Sequence, residues 1–160
     1  MLTPTPLPFR HPVTLLATWF GAGLLPKAPG SWGSLAALPF AWVITEAGGG
    51  RLLAAAVALV SLVGWWAAER YAEASGGGDP GPVVIDEVAG QWLVLTMLPP
   101  DLAGYALGFV LFRLFDIVKP WPVSWADRRL KGGLGIMLDD LLAGLYGLGV
   151  LALLRLWWPI

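Results

Sequence analysis

The chain has 160 residues, room for one domain with a real core, and only 13% of them are charged, against about 25% in ordinary soluble domains. Hydrophobic residues make up 57%, ten tryptophans are present and mean hydropathy is +0.69, which is the composition of a membrane protein. A net charge of −1 offers nucleic acid no attractive field, and the lack of cysteine excludes a disulfide framework, a thiolate nucleophile and a Cys-based metal site.

Residues 1–12 are proline-rich and read as irregular, because proline denies a helix its backbone donors. The one histidine, His11, reads as a solvated or interfacial residue, and no cleavable signal peptide is recognisable. "VTLLATWFGAGLL", 13–25, is too short to span a bilayer and is expected to be an interfacial or re-entrant helix. "PKAPGSWGS" follows as a loop in which Ser31 or Ser34 is expected to cap the next helix. Apolar runs of spanning length occupy about 32–48 and 52–72, separated by "GGGR". After the flexible "ASGGGDPGP", further runs cover about 83–98, 102–118 and 134–158. "PPD" turns the chain at 99–101, and a polar, basic loop fills 119–133. The expected fold is all-α: one membrane-embedded domain over 1–160, a polytopic bundle of about five long helices plus the short N-terminal one.

Basic residues orient this bundle. Arg113, Lys119, Arg128, Arg129 and Lys131 cluster around the 119–133 loop, which the positive-inside rule assigns to the cytoplasm. Counting back puts the 75–82 loop and the N-terminal segment on the same side, and "GGGR" and "PPD" on the other. "LWWPI" at the C-terminus then reads as an outer interfacial anchor.

Five acids gather at one depth on this topology. Asp86 and Glu87, in "VVIDEVAGQW", begin the third long helix; Asp116, in "FRLFDIVKPWP", ends the fourth; Asp139 and Asp140, in "GIMLDDLLAG", begin the fifth. Carboxylates inside a membrane are costly to keep and mark function. An all-oxygen donor set points to a hard cation, Mg2+ first. Helix N-termini are expected to favour the charge of Asp86, Glu87, Asp139 and Asp140. Ion pairs are the plainer account, Asp116 with Arg113 and Asp127 with Arg128. Glu46, Glu73, Asp79 and Asp101 read as solvated charges in turns or near helix ends. Asp139 and Asp140 project about 100° apart on a helix, so they are expected to take different partners.

"KAPGSWGS" supplies Lys27, two glycines, the hydroxyls of Ser31 and Ser34 and a helix start, the ingredients of a phosphate cradle. Arg113 and Lys119 are further candidates for phosphate binding. Arg129 and Lys131 read as topology signals or anionic-lipid contacts. Carboxylates, a hard metal and phosphate-binding groups together suggest metal-assisted phosphoryl chemistry on a lipid headgroup.

"GLLPKAPGSWGSLAALP", "VVIDEVAGQW", "FRLFDIVKPWP" and "GGLGIMLDDLLAG" follow one another in an order and spacing that resembles the phosphatidylglycerophosphatase A family. The resemblance implies a small helical inner-membrane enzyme that dephosphorylates phosphatidylglycerophosphate to phosphatidylglycerol with Mg2+. By position it implies catalytic and metal-binding roles for Asp86, Glu87, Asp116, Asp139 and Asp140, with Lys27, Ser31 and Ser34 in the first motif. The expected mechanism has one or two Mg2+ ions activating water, while Lys27, Ser31, Ser34 and Arg113 or Lys119 offset charge on the phosphoryl oxygens. Attack by a carboxylate, Asp86 first, is the internal alternative. A small transporter or channel with an acidic ion-binding cluster, and a phosphatase for another phosphate ester, are the rival functions. The sequence specifies no oligomeric state.

Overall fold

In the computed structural model, which describes residues 5–157, the protein is all-helical and no strand occurs among the described residues. Six α-helices follow in order: α1 (Pro12–Ala17), α2 (Pro29–Ala74), α3 (Ile85–Leu95), α4 (Leu102–Val118), α5 (Val123–Arg129) and α6 (Gly132–Trp157). A single 3-10 turn, Ala22–Leu24, lies between α1 and α2.

Although α2 runs for 46 residues, it is not straight. Residue 33 abuts Val84 and residue 64 abuts Ile85. An unbroken helix would hold those two points about 46 Å apart at 1.5 Å per residue. The chain doubles back at Gly48 and Gly49, whose backbone is non-helical. Gly49 has φ 67°, a left-handed value that a residue without Cβ adopts freely. The predicted runs 32–48 and 52–72 are thus two antiparallel limbs, 29–47 and 50–74.

The remaining helices extend this alternation. α3 and α6 run parallel, since Asp140 packs beside Gly90 and Gly147 beside Val94. α4 runs against both, with Phe112 beside Gly90 and Gly108 beside Leu95. One end of the bundle therefore gathers the start of α2, the 75–84 loop, the end of α4, α5 and the start of α6. The other gathers the Gly48–Gly49 turn and the 96–101 turn.

The core is a continuous apolar cluster in which Leu53, Tyr71, Ile85, Leu95, Phe112 and Leu151 are fully buried. The outside is also apolar: Val43, Leu59, Leu62, Val110 and Leu153 are all exposed on helix surfaces. So much exposed aliphatic surface is unusual for a water-soluble domain. α2 and α6 are long and apolar enough to cross a membrane.

Several expectations need correction. The 83–98 run is helical only over the 11 residues of α3. Val84 stays outside because its N–H donates to Ala17 O, and Thr96 turns the chain ahead of Pro99 and Pro100. The 119–133 loop contains α5. Neither Ser31 nor Ser34 caps α2: the N-cap is Ala28, with left-handed backbone and no side-chain cap. His11 is more than a surface residue, because its Nδ1 accepts from Val13 N–H and caps α1. α1 and the 3-10 turn pack against the bundle, with the Trp19 ring reaching Trp92 and Phe40. Within "LWWPI", Trp157 is 87% exposed. Residues 158–160, like residues 1–4 of the irregular segment, lie outside the described ones.

Candidate active site

The N-terminal turn of α3 carries Asp86 and Glu87, and α6 delivers Asp140 against them. One oxygen from each lies within 4.8 Å of the others. Asp86 and Asp140 are buried, and Asp86 Oδ1, Glu87 Oε2 and Asp140 Oδ2 lack a hydrogen-bond partner. Two unit charges at this separation repel by about 3–4 kcal/mol at an effective dielectric near 20. Three ionised carboxylates cannot remain so close in a dry site without protons or a cation to offset them. The all-oxygen donors and their unsatisfied lone pairs fit a hard divalent cation.

Asp116 and Asp139 stand beside this trio, both being charged neighbours of Asp140. Each has a cation of its own. Arg113 Nη1 donates to Asp116 Oδ2 and lies 3.9 Å from Glu87 Oε1. The ion pair expected as the plainer account of Asp116 is therefore present, and it is built into the cluster. Arg113 Nε is buried and unpartnered.

Lys119 Nζ donates to Asp127 Oδ1 at 2.5 Å and to Asp139 Oδ2 at 2.8 Å. Burial draws the Lys119 pKa down, but these bonds outweigh it and hold the ammonium above the usual lysine range. Lys119, expected as a candidate phosphate ligand, thus also serves two carboxylates. Asp127 pairs with Lys119 and not with Arg128, whose Nε donates to Ser124 O. Asp139 Oδ1 is left without a partner.

The expected dipole assistance applies to only one pair. Asp86 and Glu87 lie in the first turn of α3, whereas α6 begins at Gly132, about two turns before Asp139. The effect of a helix terminus falls off within its first turn. Asp139 depends on Lys119 instead.

The proposed cradle reaches the cluster through its backbone. At Gly30, in the first turn of α2, a Cβ would lie 2.0 Å from Glu87 Oε1 and 3.1 Å from Arg113 Nη1. Ser31 is half-buried in the same turn. Ser34 is fully buried and donates to Gly30 O at 2.9 Å, so its hydroxyl proton is committed within the helix. Lys27 is exposed on left-handed backbone.

Sequence reasoning missed three residues. Glu69, on the second limb of α2, accepts from Gly133 N–H and so caps α6 from another helix. The signal was an acid near the end of one helix and "GG" opening another, legible only once the two are known to meet. Asp79, read as a solvated loop charge, lines a small cavity of about 60 Å³ with Asp127, Lys131 and Asp139. Lost hydration raises its carboxyl pKa, Lys119 opposes this, and Asp127 and Asp116 add to it. Asp127, the third, was assigned to the wrong cation.

A family model described as phosphatidylglycerophosphatase A matches residues 15–155. The chain belongs to the phosphatidylglycerophosphatase A family. A phosphatidylglycerophosphatase A of Escherichia coli K12 is 41% identical over 96% of this chain and 90% of its own length. The protein of the same name from Haemophilus influenzae is 37% identical, over 92% and 91%. A putative phosphatidylinositol-3-phosphatase of Bacteroides thetaiotaomicron is 39% identical, over 88% and 92%. No solved structure matches. The family match includes all ten residues singled out from the sequence, Lys27 to Asp140. Membership of this family, together with two apolar helices, associates the chain with a membrane.

Proposed function

We propose that this chain hydrolyses phosphatidylglycerophosphate to phosphatidylglycerol and inorganic phosphate, with Mg2+, at the cytoplasmic face of a bacterial inner membrane. The observation that carries the reading is the Asp86–Glu87–Asp140 trio with its unpaired oxygens beside Arg113, in a chain of this family.

Asp86, Glu87 and Asp140 would hold Mg2+, which supplies Lewis-acid polarisation of a phosphoryl oxygen when bound. Arg113 attracts the phosphate and offsets the charge that grows on its oxygens. Asp116 fixes the Arg113 guanidinium through their ion pair. Asp139, anchored by Lys119 through one oxygen, offers the other as acceptor for a proton of the attacking water. The water oxygen bonds to phosphorus, the bond from phosphorus to the glycerol oxygen breaks, and that oxygen takes up a proton.

A multi-pass arrangement is supported by the two α2 limbs, α4 and α6, with the re-entrant α1 turn at the site end. Exposed Trp32, Trp65, Trp66, Trp121 and Trp125 occupy that end, as an interfacial belt would. Arg128, Arg129 and Lys131 lie there too, which favours a cytoplasmic orientation.

The test is phosphate release by purified protein in mixed micelles, with Mg2+ and with EDTA. Metal-dependent release from phosphatidylglycerophosphate is expected, and strong loss in Asp140→Asn. No release from this lipid, with release from phosphatidylinositol 3-phosphate, would favour the activity named for the Bacteroides relative.

A further inference from the structure

Between the first limb of α2 and α4 runs an apolar groove of about 750 Å³. Leu35, Pro39 and Val43 line one wall, and Ala106, Phe109 and Val110 the other. Trp42, packed edge-on against Tyr105 at 5.2 Å, joins the two walls towards the far end. The Tyr105 hydroxyl is turned to Thr45 Oγ1 at 3.2 Å. That contact satisfies the one hydroxyl among the lining side chains.

The near end leads to the site. Arg113 follows Phe109 and Val110 by one turn on α4, and Gly30 precedes Leu35 by little more than one turn on α2. These two residues meet, with a Cβ on Gly30 only 3.1 Å from Arg113 Nη1. The groove therefore ends about one turn from the carboxylate cluster, at a cationic threshold. That threshold carries a buried guanidinium donor, Nε, with no partner in the protein. An apolar trough ending at a cation, one turn from a phosphate-processing cluster, matches a diacyl phospholipid: tail, then phosphodiester, then phosphate monoester.

We propose that one acyl chain of the phospholipid substrate lies in the α2–α4 groove, and that the headgroup enters the site sideways over Gly30 and Arg113. The proposal rests on the lipid phosphatase reading above and adds the route and the tail site. Recognition is then divided. The groove selects a membrane-resident ester, while Arg113, at the threshold, attracts the phosphate that is to be cleaved.

Ala106 is exposed and small, so Ala106→Trp fills the groove without disturbing the core. Rates would be compared on dioleoyl and dibutanoyl phosphatidylglycerophosphate. The expected result is a loss of at least tenfold in kcat/KM for the dioleoyl lipid and less than twofold for the dibutanoyl one. Leu145→Trp, on the exposed face of α6, is expected to change neither. Equal effects of Ala106→Trp on both substrates, or none, would overturn the groove while leaving the activity standing. No turnover of either lipid by the wild type would instead remove the function reading. A second measurement needs no variant: a photoactivatable diazirine on the substrate acyl chain, with the wild-type protein. Adducts at 35–43 and 102–110, competed by phosphatidylglycerophosphate and not by phosphatidylcholine, are expected. Adducts confined to the Leu142–Leu156 face of α6 would place the tail elsewhere and overturn the proposal.

Discussion

The backbone carbonyl of Asp140 packs so closely on Gly90 that a Cβ there would lie 2.5 Å from its oxygen. Four residues on, a Cβ at Gly144 would lie 2.7 Å from the carbonyl oxygen of Gly90. Each glycine stands one turn after an acid of the cluster, Gly90 after Asp86 and Gly144 after Asp140. The crossing of α3 and α6 is therefore what brings those carboxylates together, and its spacing is set by the two missing side chains. Gly144→Ala is expected to destabilise the bundle by about 1–3 kcal/mol through overpacking. It should also open the Asp86–Asp140 distance. Thermal unfolding in detergent, with and without Mg2+, would read both effects, and an unchanged midpoint together with unchanged metal response would refute the crossing argument.

Asp139 and Asp140 are expected to fail differently. Asp140→Asn leaves two crowded carboxylates where three had to be offset by protons or a cation, so the metal-free protein should become more stable. Mg2+ should raise the wild-type unfolding midpoint by mass action and barely move that of Asp140→Asn. Asp139→Asn keeps the trio intact, so the Mg2+ response should survive while turnover falls at least tenfold. Identical metal responses in the two variants would remove the division of labour between them.

Much of this arrangement could be read from the chain, and the exceptions share a cause. Apolar runs, the "PPD" and "GGGR" turns and the cluster of basic residues fix an alternating path, and that path alone carries Asp86, Asp116 and Asp140 to one end. The shortness of α3 was not legible, because Val83 and Val84 are as apolar as a helix interior. What holds them outside is a hydrogen bond to Ala17, 67 residues upstream. Partners across the bundle were likewise hidden. Local spacing suggested Asp127 with Arg128, whereas Lys119, eight residues away, reaches Asp127 from the left-handed end of α4. The Arg113–Asp116 pair was legible because three residues on a helix are neighbours in any fold.

Lys119 joins Asp127 to Asp139, and Asp139 is the more deeply buried of the two. Lys119→Met would strand a buried carboxylate, so loss of stability and of most activity is expected. Lys119→Arg preserves the charge and should recover part of both. Pairing Lys119→Met with Asp139→Asn in a double-mutant cycle should reveal coupling of about 0.5–3 kcal/mol. Strict additivity would mean that the observed bond does not hold Asp139 in place.

Glu69 lies outside the carboxylate trio. Its carboxylate accepts from Gly133 N–H, and Gly132 approaches it with φ 69°. The start of α6, and hence the angular position of Asp139 and Asp140 about two turns later, is tied to the second limb of α2. Glu69→Ala leaves the Gly133 donor without its acceptor and should cost about 0.5–2 kcal/mol, the range of a lost helix cap. Glu69→Gln retains an acceptor oxygen and should recover most of that loss. If the role is positional, the half-saturating Mg2+ concentration should rise in Glu69→Ala and return towards wild type in Glu69→Gln. A loss of stability with unchanged Mg2+ dependence would reduce Glu69 to a cap with no influence on the site.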